Sequence, residues 1–312
     1  MTDEPLSPGF GHMIVEDDDL IAHPIRCVEG ALQGAPIVAG CPHSGRHYPK
    51  SFLTQLALDV SRLRQAEDFW VDGLIAGTSE AGVARVEALF PRSFVDVNRE
   101  PLEIDPDMFD GPIPKDANSK SLRVAGGLGT IARVVNDGAE IYRHKLPAHL
   151  IEQRITSFYR PYHEALENRL SEARQRHGVA LLLDFHSMPS HLAGRGPGGR
   201  SLPDIVLGDR YGASCPEGLV EMVERNLLGA GYSVMRNAPY AGGYCTEHYG
   251  RPREGLFALQ IEINRRLYMD ESQLTLTPAK AAGVRADLTA LMAALAQDWG
   301  AWTGLPLPDA AE

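Results

Sequence analysis

The stretch that most constrains the fold of this chain is 179–187, which reads VALLLDFHS. Five apolar residues, Val179–Leu183, follow Gly178 without a polar break, as is typical of a strand buried on both faces of a sheet. Asp184 and His186 come at the end of this strand, where open α/β sheets bind their ligands, and both point to one side of it. One interpretation is a metal-bound imidazole oriented by the carboxylate. The alternative is a solvated histidine at a strand end.

Further predicted strands also end in polar residues. We predict strands at Ala35–Cys41, Val83–Leu89, Ser93–Val97, Val179–Ser187, Pro203–Leu207, Tyr232–Arg236 and Leu256–Ile263. His43 follows the first of them, Asn98 and Arg99 follow the third, and Glu262 lies at the end of the last. Parallel strands bring such ends to one edge of a sheet, so we expect these side chains to meet His186. Apolar neighbours of Glu262 predict a desolvated carboxylate with a raised affinity for protons.

These side chains are the components of a hydrolytic zinc site. Zinc takes histidine and carboxylate ligands and keeps one position open for water, whose pKa it lowers. A separate glutamate then serves as general base, and an arginine stabilises the oxyanion or binds a carboxylate. The sequence therefore favours a metal-dependent hydrolase over a protein that only binds a ligand.

Helical periodicity between the strands predicts an α/β fold. The segment Arg62–Ala76 carries Asp68 and Asp72, which are four residues apart and hence predicted on one helix face. The segment Ala148–His177 has the apolar spacing of a long amphipathic helix, which Pro161 should bend or split. Strands that alternate with helices in this way predict a mixed, mostly parallel sheet with helices on both faces.

No internal repeat or linker divides the chain, and we predict one domain over residues 1–312. Residues 1–20 are acidic and contain proline and glycine, so we expect them to be flexible. The segment 103–133 is rich in proline, glycine and aspartate, and we predict that it is a lid over the cleft. Its GGLGT lacks the Lys-Ser/Thr of a phosphate loop, which argues against nucleotide binding. Residues 237–252 form a glycine- and aromatic-rich loop suited to contacting a ligand.

Charge and cysteine content argue against several classes of protein. The formal net charge of −11 disfavours nucleic acid and anionic membranes as partners. No apolar run approaches the roughly 20 residues that span a bilayer. The amino terminus resembles neither a signal nor a transit peptide, so we expect a cytoplasmic protein with reduced thiols. The four cysteines form no CxxC pair, and Cys41 is predicted to be a buried packing residue, not a nucleophile.

Nine stretches between Pro36 and Asp270 resemble the N-formylglutamate amidohydrolase family, in the order of that family. They are CPHSGRHYP (41–49), EDFWVD (67–72), DVNRE (96–100), LRVAGGLGTIARV (122–134), YRPYH (159–163), LLLDFHS (181–187), DIVLGDR (204–210), NAPYAGGYCTEHYGRP (237–252) and ALQIEINRRLYMDE (258–271). Several long motifs in the right order are far more specific than any one of them. More distantly, the plan is similar to zinc carboxypeptidases and aspartoacylases, which implies a zinc-carboxypeptidase-like (phosphorylase/hydrolase-like) fold.

The resemblance also implies roles for particular residues. His43 and His186 would bind one Zn²⁺ per chain, and Glu262 would be the base that activates water. Arg99, with Asn98 beside it, would bind a substrate carboxylate or polarise the scissile carbonyl. Carboxypeptidase-like enzymes place a glutamate ligand three residues after the first histidine, where this chain has Arg46. The acidic ligand must therefore come from elsewhere: Asp68 is the first choice, and Asp72 and His47 stay open as alternatives.

The implied substrate is N-formyl-L-glutamate, hydrolysed to formate and L-glutamate as in histidine degradation. Its two carboxylates call for more than one arginine, and Arg123, Arg133 and Arg265 are further candidates beside Arg99. The acyl side of the pocket is predicted to be lined by Asn237, Tyr240 and Gly243. Two alternatives remain, namely a related metal-dependent hydrolase of another N-acyl amino acid or small peptide, and a non-catalytic binding protein. We expect a small-molecule partner with carboxylates and a monomer or small homo-oligomer.

Overall fold

A computed structural model describes residues 13–16, 23–30, 35–135, 138–191 and 202–303 of the chain. Its strands are β1 (Ile14–Glu16), β2 (Ile25–Val28), β3 (Ile37–Cys41), β4 (His47–Pro49), β5 (Ala84–Ala88), β6 (Phe109–Asp110), β7 (Leu146–Pro147), β8 (Ala180–Met188), β9 (Ile205–Gly208), β10 (Val234–Arg236), β11 (Leu256–Asn264), β12 (Met269–Asp270) and β13 (Thr275–Leu276). Its α-helices are α1 (Lys50–Leu53), α2 (Val60–Arg64), α3 (Val71–Leu74), α4 (Leu122–Ala125), α5 (His149–Arg154), α6 (Arg160–His177), α7 (Glu217–Gly229), α8 (Tyr244–Tyr249), α9 (Pro278–Gln297) and α10 (Trp299–Thr303).

A seven-stranded sheet in the order β10-β9-β11-β8-β3-β5-β2 forms the centre of the fold. Strands β11, β8, β3 and β5 are parallel neighbours, whereas β9 runs antiparallel to β11 and β2 antiparallel to β5. This confirms the predicted α/β fold with a mixed, mostly parallel sheet. The carboxyl ends of β3, β8 and β11 therefore lie side by side, in the place where parallel sheets carry their functional groups.

Helices cover both faces of this sheet, as predicted. Along β8, Leu182 faces the hydrophobic cluster that contains α6 and α8, while Leu181, Leu183 and Phe185 face the cluster that contains α3, α7 and α9. All four side chains are fully buried. Burying an apolar side chain of this size stabilises the fold by about 1.5–3 kcal/mol. The apolar run of β8 thus holds the two layers together and fixes the position of His186 at its end.

One predicted strand is wrong. The structure has a turn at 93–97, where the backbone N–H groups of Phe94 and Val95 both donate to the carbonyl of Pro91. Val95 and Val97 are buried in the hydrophobic core all the same, which explains why their pattern resembles that of a strand. The other six predicted strands are present as β3, β5, β8, β9, β10 and β11.

The predicted helix at 62–76 is broken, and the common helix face for Asp68 and Asp72 is therefore wrong. Helix α2 ends at Arg64, and α3 begins only after Trp70, which has a left-handed backbone with φ of +65°. A non-glycine residue in this region ends regular helical geometry. Asp68 lies in the turn between the two helices, so its side chain is free to take a different direction from that of Asp72.

The long helix at 148–177 is split, as Pro161 predicts. Helix α5 passes through one π-helical turn, Ile155–Tyr159, into α6. Proline has no N–H to donate and its ring crowds the preceding turn, which favours a local irregularity of this kind. In α6, His163 is buried and contacts the Tyr249 hydroxyl and the Val97 carbonyl, so it packs inside the fold.

Three further segments are predicted to be irregular: a lid, a loop and a flexible amino terminus. Residues 103–133 pack through several backbone hydrogen bonds, such as those from Asn118 to Leu102 and from Thr130 to Glu103, and their motion as a lid stays a prediction. The predicted loop at 237–252 contains helix α8. Most of residues 1–20 lie outside the described residues, so their predicted flexibility is untested. In the described part of the chain, no helix is both long and apolar enough to cross a membrane.

Candidate metal and active site

Three predicted ligands meet at the carboxyl edge of the sheet. His43 follows β3, His186 lies in β8, and Asp68 lies in the turn before α3; all three are buried. Asp68 Oδ2 is 3.3 Å from His43 Nδ1 and 3.1 Å from His186 Nδ1, and the two Nδ1 atoms are 3.1 Å apart. These residues are the group of histidine and acidic side chains that the described residues offer for a metal ion.

Hydrogen bonds to Asp68 fix the direction of its carboxylate. Its backbone N–H donates to the His43 carbonyl at 3.0 Å, and its own carbonyl accepts from Ser44 Oγ at 2.7 Å. Its Oδ1 accepts from Ser187 Oγ at 3.1 Å and lies 3.5 Å from Arg265 Nη2. With Oδ1 held in this way, Oδ2 is the oxygen that remains for the two imidazoles.

Each histidine faces a second carboxylate with its Nε2 atom. Asp96 Oδ1 is 2.8 Å from His43 Nε2, and Asp184 Oδ2 is 2.9 Å from His186 Nε2. When Nε2 carries the ring proton, Nδ1 keeps a lone pair that can bind a metal ion, and both Nδ1 atoms face the Oδ2 atom of Asp68. This is the carboxylate–histidine arrangement that orients metal ligands. The sequence predicts it for Asp184 and does not indicate Asp96.

The electrostatics of the site favour a cation at the point where these atoms converge. Burial lowers the pKa of His186, but the charge of Asp184 and the hydrogen bond to Asp68 outweigh it and hold that pKa well above its ordinary value. Burial would raise the pKa of Asp68, but hydrogen bonds from His186 and His43 hold it well below its ordinary value. Ligand atoms of a tetrahedral zinc ion lie about 3.3 Å from one another. Both the spacing and the chemistry of the donor atoms therefore fit zinc.

A cavity of about 660 Å³ opens beside these three residues. It is lined by His43, Ala66, Asp68, Arg92, Asn98, Arg99, Arg123, His186, Ser187, Pro189, Pro239, Tyr240, Ala241, Gly242, Gly243, Gln260, Glu262 and Arg265. The predicted general base Glu262 is adjacent to His186 in the register of β11 and β8. Burial is the main cause that raises the pKa of Glu262, to about 7, in agreement with the sequence prediction. A carboxyl group with such a pKa can both accept and donate a proton near neutral pH.

The family model of N-formylglutamate amidohydrolase matches residues 35–269 of this chain. The chain belongs to the N-formylglutamate amidohydrolase family. The extent of the match agrees closely with the nine motifs that carry the resemblance in sequence, and it confirms the predicted class, an enzyme family of amide hydrolases.

Individual relatives agree with this assignment. An N-formylglutamate deformylase from Pseudomonas aeruginosa is 29% identical over 273 residues, which is 85% of this chain and 94% of the relative. The crystal structure of an N-formylglutamate amidohydrolase from Ralstonia eutropha aligns with a TM-score of 0.81 at 37% identity, covering 88% of this chain and 97% of the other.

Four arginines line the cavity of this family member, and they differ in how their nitrogens are used. All three nitrogens of Arg265 donate hydrogen bonds, to Ser187 Oγ and to the carbonyls of Gln65 and Glu67. Arg265 therefore holds the segment that carries Asp68 in place. Arg99 donates to the carbonyls of Leu128 and Asn98. Arg123 lies 3.6 Å from Glu103, whose Oε2 is buried without a hydrogen-bond partner among the described residues. Arg92, which sequence reasoning missed, donates to Asp96 Oδ2 at 2.8 Å.

Two predicted substrate-binding residues do not reach this cavity. Arg133 lines a separate cavity of about 180 Å³, where it forms ion pairs with Asp105 and Glu140. Asn237 has φ of +58°, and its amide bonds to the backbone N–H and carboxylate of Asp209. Asparagine tolerates this left-handed backbone better than most residues, so its role is to shape the loop.

The two alternative metal ligands point elsewhere. Asp72 Oδ2 accepts from Arg46 Nη1 at 2.9 Å, and His47 Nδ1 lies 2.7 Å from Glu16 Oε1. Neither residue lines the large cavity. Cys41 is fully buried, and burial is the main cause that raises the pKa of its thiol well above the ordinary value. It therefore packs in the core, as the sequence predicts.

Proposed function

We propose that this chain hydrolyses the amide bond of N-formyl-L-glutamate, releasing formate and L-glutamate, with one zinc ion held by His43, Asp68 and His186. The observation that carries the proposal is the convergence of these three side chains next to Glu262, in an arginine-lined cavity of a member of this family. The names of the relatives support the substrate. The place of the reaction in histidine degradation and its location in the cytoplasm stay predictions from sequence.

The protein groups supply the proton transfers. Zinc bound by the three ligands supplies Lewis acidity, which polarises an amide carbonyl and lowers the pKa of water. Glu262 accepts the proton of the water that attacks the formyl carbon. It then donates this proton to the nitrogen of the departing glutamate, which could not leave as an amide anion. The raised pKa of Glu262 suits both halves of this transfer.

The arginines of the cavity offer binding groups for the two carboxylates of the proposed substrate. Guanidinium groups bind carboxylates through paired, charge-assisted hydrogen bonds. Arg99 and Arg123 are our candidates for this role, and Arg92 adds positive charge on the same side, next to Asp96. Asn98, Tyr240 and Gly243 line the rest of the pocket.

The proposal is tested by measuring zinc content together with formate release from N-formyl-L-glutamate. We expect about one zinc per chain, as the one ligand set found among the described residues predicts, and formate release that is lost on chelation and restored by zinc. A panel of N-acetyl amino acids and small peptides tests the neighbouring substrate classes. Zinc without formate release, but with cleavage of another amide in the panel, would replace the substrate. Absence of both zinc and amide hydrolysis would leave only a binding protein and would overturn the proposal.

Two arginine variants compare the effect on KM of a residue inside the cavity with that of a residue outside it. We expect Arg123→Ala to raise KM for N-formylglutamate by about 10- to 100-fold, because a hydrogen bond to a charged group contributes about 1.5–3 kcal/mol. The control Arg133→Ala, in the same segment but outside the cavity, should leave KM within about twofold of wild type, since surface substitutions have small effects. Steady-state kinetics on the two variants make the comparison. Equal effects of both substitutions would remove Arg123 from the binding site.

A second pair of variants tests the carboxylates behind the histidines. We expect Asp96→Asn and Asp184→Asn each to weaken zinc affinity by about 10- to 100-fold, the usual effect of losing such a partner. Only Asp96→Asn should also raise KM at saturating zinc, because Asp96 alone of the two holds a cavity arginine, Arg92. Competition titrations with a chelator give the zinc affinity. Unchanged zinc affinity in both variants would contradict the proposed ligand set.

A further inference from the structure

Gln260 is a buried polar residue of the cavity for which the proposed reaction has so far given no role. It lies on β11 two residues before Glu262, so both side chains point to the same face of the sheet. Only 4% of its surface is exposed. A buried amide has to be hydrogen-bonded at both ends or it destabilises the fold. The partners at the two ends therefore show what this side chain holds in place.

The backbone fixes which way round the amide of Gln260 lies. The Gly243 N–H donates to the amide at 2.7 Å, and a backbone N–H can only donate, so the atom that faces it must be the oxygen Oε1. The nitrogen Nε2 then faces Glu262, and it donates to Glu262 Oε1 at 2.8 Å.

This bond makes the two oxygens of the Glu262 carboxylate unequal. Oε1 accepts an N–H from Gln260, and a protonated Oε1 would direct its own hydrogen at that donor. The proton of Glu262 therefore belongs on Oε2, for which the described residues provide no hydrogen-bonding partner. Gln260 in this way selects the oxygen that exchanges protons and fixes the rotation of the carboxylate around its last bond.

The other end of Gln260 is tied to the wall of the pocket. Gly243 belongs to the segment 239–243, in which all five residues line the cavity. The segment is tightly fitted, since a Cβ on Gly243 would lie 2.4 Å from Asn98 Nδ2 and a Cβ on Gly208 would lie 2.7 Å from the backbone nitrogen of Gly242. Gln260 therefore connects the carboxylate of Glu262 to the closely packed backbone of the pocket wall at Gly243.

We propose that Gln260 is a positioning residue that aims the Oε2 atom of Glu262 at the reacting atoms and joins this base to the pocket wall at Gly243. The inference rests on the proposed function, in which Glu262 transfers the proton. Because Gln260 acts on the proton-transfer step and not on the carboxylate-binding arginines, its loss should lower kcat and leave KM and zinc content unchanged.

The experiment compares Gln260→Met, which keeps length and removes both hydrogen bonds, with Gln260→Glu, which keeps an acceptor for Gly243 and replaces the fixed amide donor by a carboxyl group that competes with Glu262 for its proton. We expect kcat to fall by about 10- to 100-fold in both variants, as when other groups that orient a functional side chain are lost. KM and zinc content should stay within about twofold of wild type. Thermal unfolding of each variant checks that it is folded.

A double-mutant cycle shows whether the effect passes through Glu262. In Glu262→Asp the carboxylate is one methylene shorter and withdrawn from Gln260, so adding Gln260→Met should lower kcat by less than about threefold further. A folded Gln260→Met enzyme with wild-type kcat, a rise in KM alone, or the same loss in the Glu262→Asp background would each overturn the inference. If wild type itself releases no formate, the proposed function fails and this inference fails with it, whereas an active wild type isolates the role of Gln260.

Discussion

Replacing Glu262 by glutamine is expected to lower kcat for formate release by about 10²- to 10⁴-fold, the range associated with a general acid–base group. The substitution keeps the shape of the side chain and removes its ability to take and return a proton. Glu262 is not one of the three residues whose donor atoms converge. Zinc content should therefore stay at the wild-type value. Formate assays and metal analysis on the same preparation measure both quantities.

A matched control for this variant is Glu87→Gln, another buried glutamate of the same sheet. Glu87 lies on β5, bonds to Arg26 and does not line the cavity. We expect this substitution to reduce stability and to leave kcat near that of wild type, because it breaks an ion pair away from the cavity. A Glu262→Gln enzyme with undiminished kcat would show that the proton is carried by another group. Loss of zinc in that variant would instead make Glu262 part of the metal site.

Replacing Asp68 by asparagine is expected to abolish zinc binding at the site and activity with it. The carboxylate gives the site its negative charge, and Oδ2 is the atom that both imidazoles approach. Loss of an outer partner of a metal ligand weakens metal affinity by 10- to 100-fold, so loss of a ligand's charge should weaken it by more than about 100-fold. Zinc affinity is measured by competition with a chelator, and activity at increasing zinc concentrations.

Asp72→Asn is the control that decides between the two acidic candidates of this segment. Its carboxylate pairs with Arg46, and its backbone N–H bonds to Ser44 Oγ, so it contributes to the surroundings of the site and not to the donor atoms. We expect zinc affinity and kcat close to those of wild type. Retained zinc in Asp68→Asn together with lost zinc in Asp72→Asn would reverse the assignment.

The agreement between sequence and structure is best at the strands. The apolar run of β8 and the apolar residues of β3 predict strands buried on both faces, and the positions of His43, His186 and Glu262 follow from where those strands end. These are local properties, because the hydrophobic period and the burial of a strand depend on residues that are neighbours in the chain. Recognition of the family depends on the same stretches, since the motifs that carry it are those around the strand ends.

Local pattern fails where the chain leaves regular structure. The segment 62–76 has the periodicity of one helix, and the left-handed residue Trp70 that divides it has no signal in the sequence. The turn at 93–97 has the composition of a strand because its valines are buried by the rest of the fold, not by a neighbouring strand. In both cases tertiary packing overrides propensity.

By itself, the sequence determined six of the seven strands of the central sheet, the class of fold and three strand-end residues of the site, because each depends on residues close together in the chain. The tertiary structure alone decided that Asp68 and not Asp72 turns toward the imidazoles. It also placed Asp96 next to the Nε2 atom of His43 and Arg92 beside the cavity. Arg133 and Asn237 lie outside that cavity. Apart from the pair Arg92–Asp96, the direction of these side chains is set mainly by partners more than 20 residues away. Spacing along the chain does not encode such partners, since they become neighbours only when the sheet has formed.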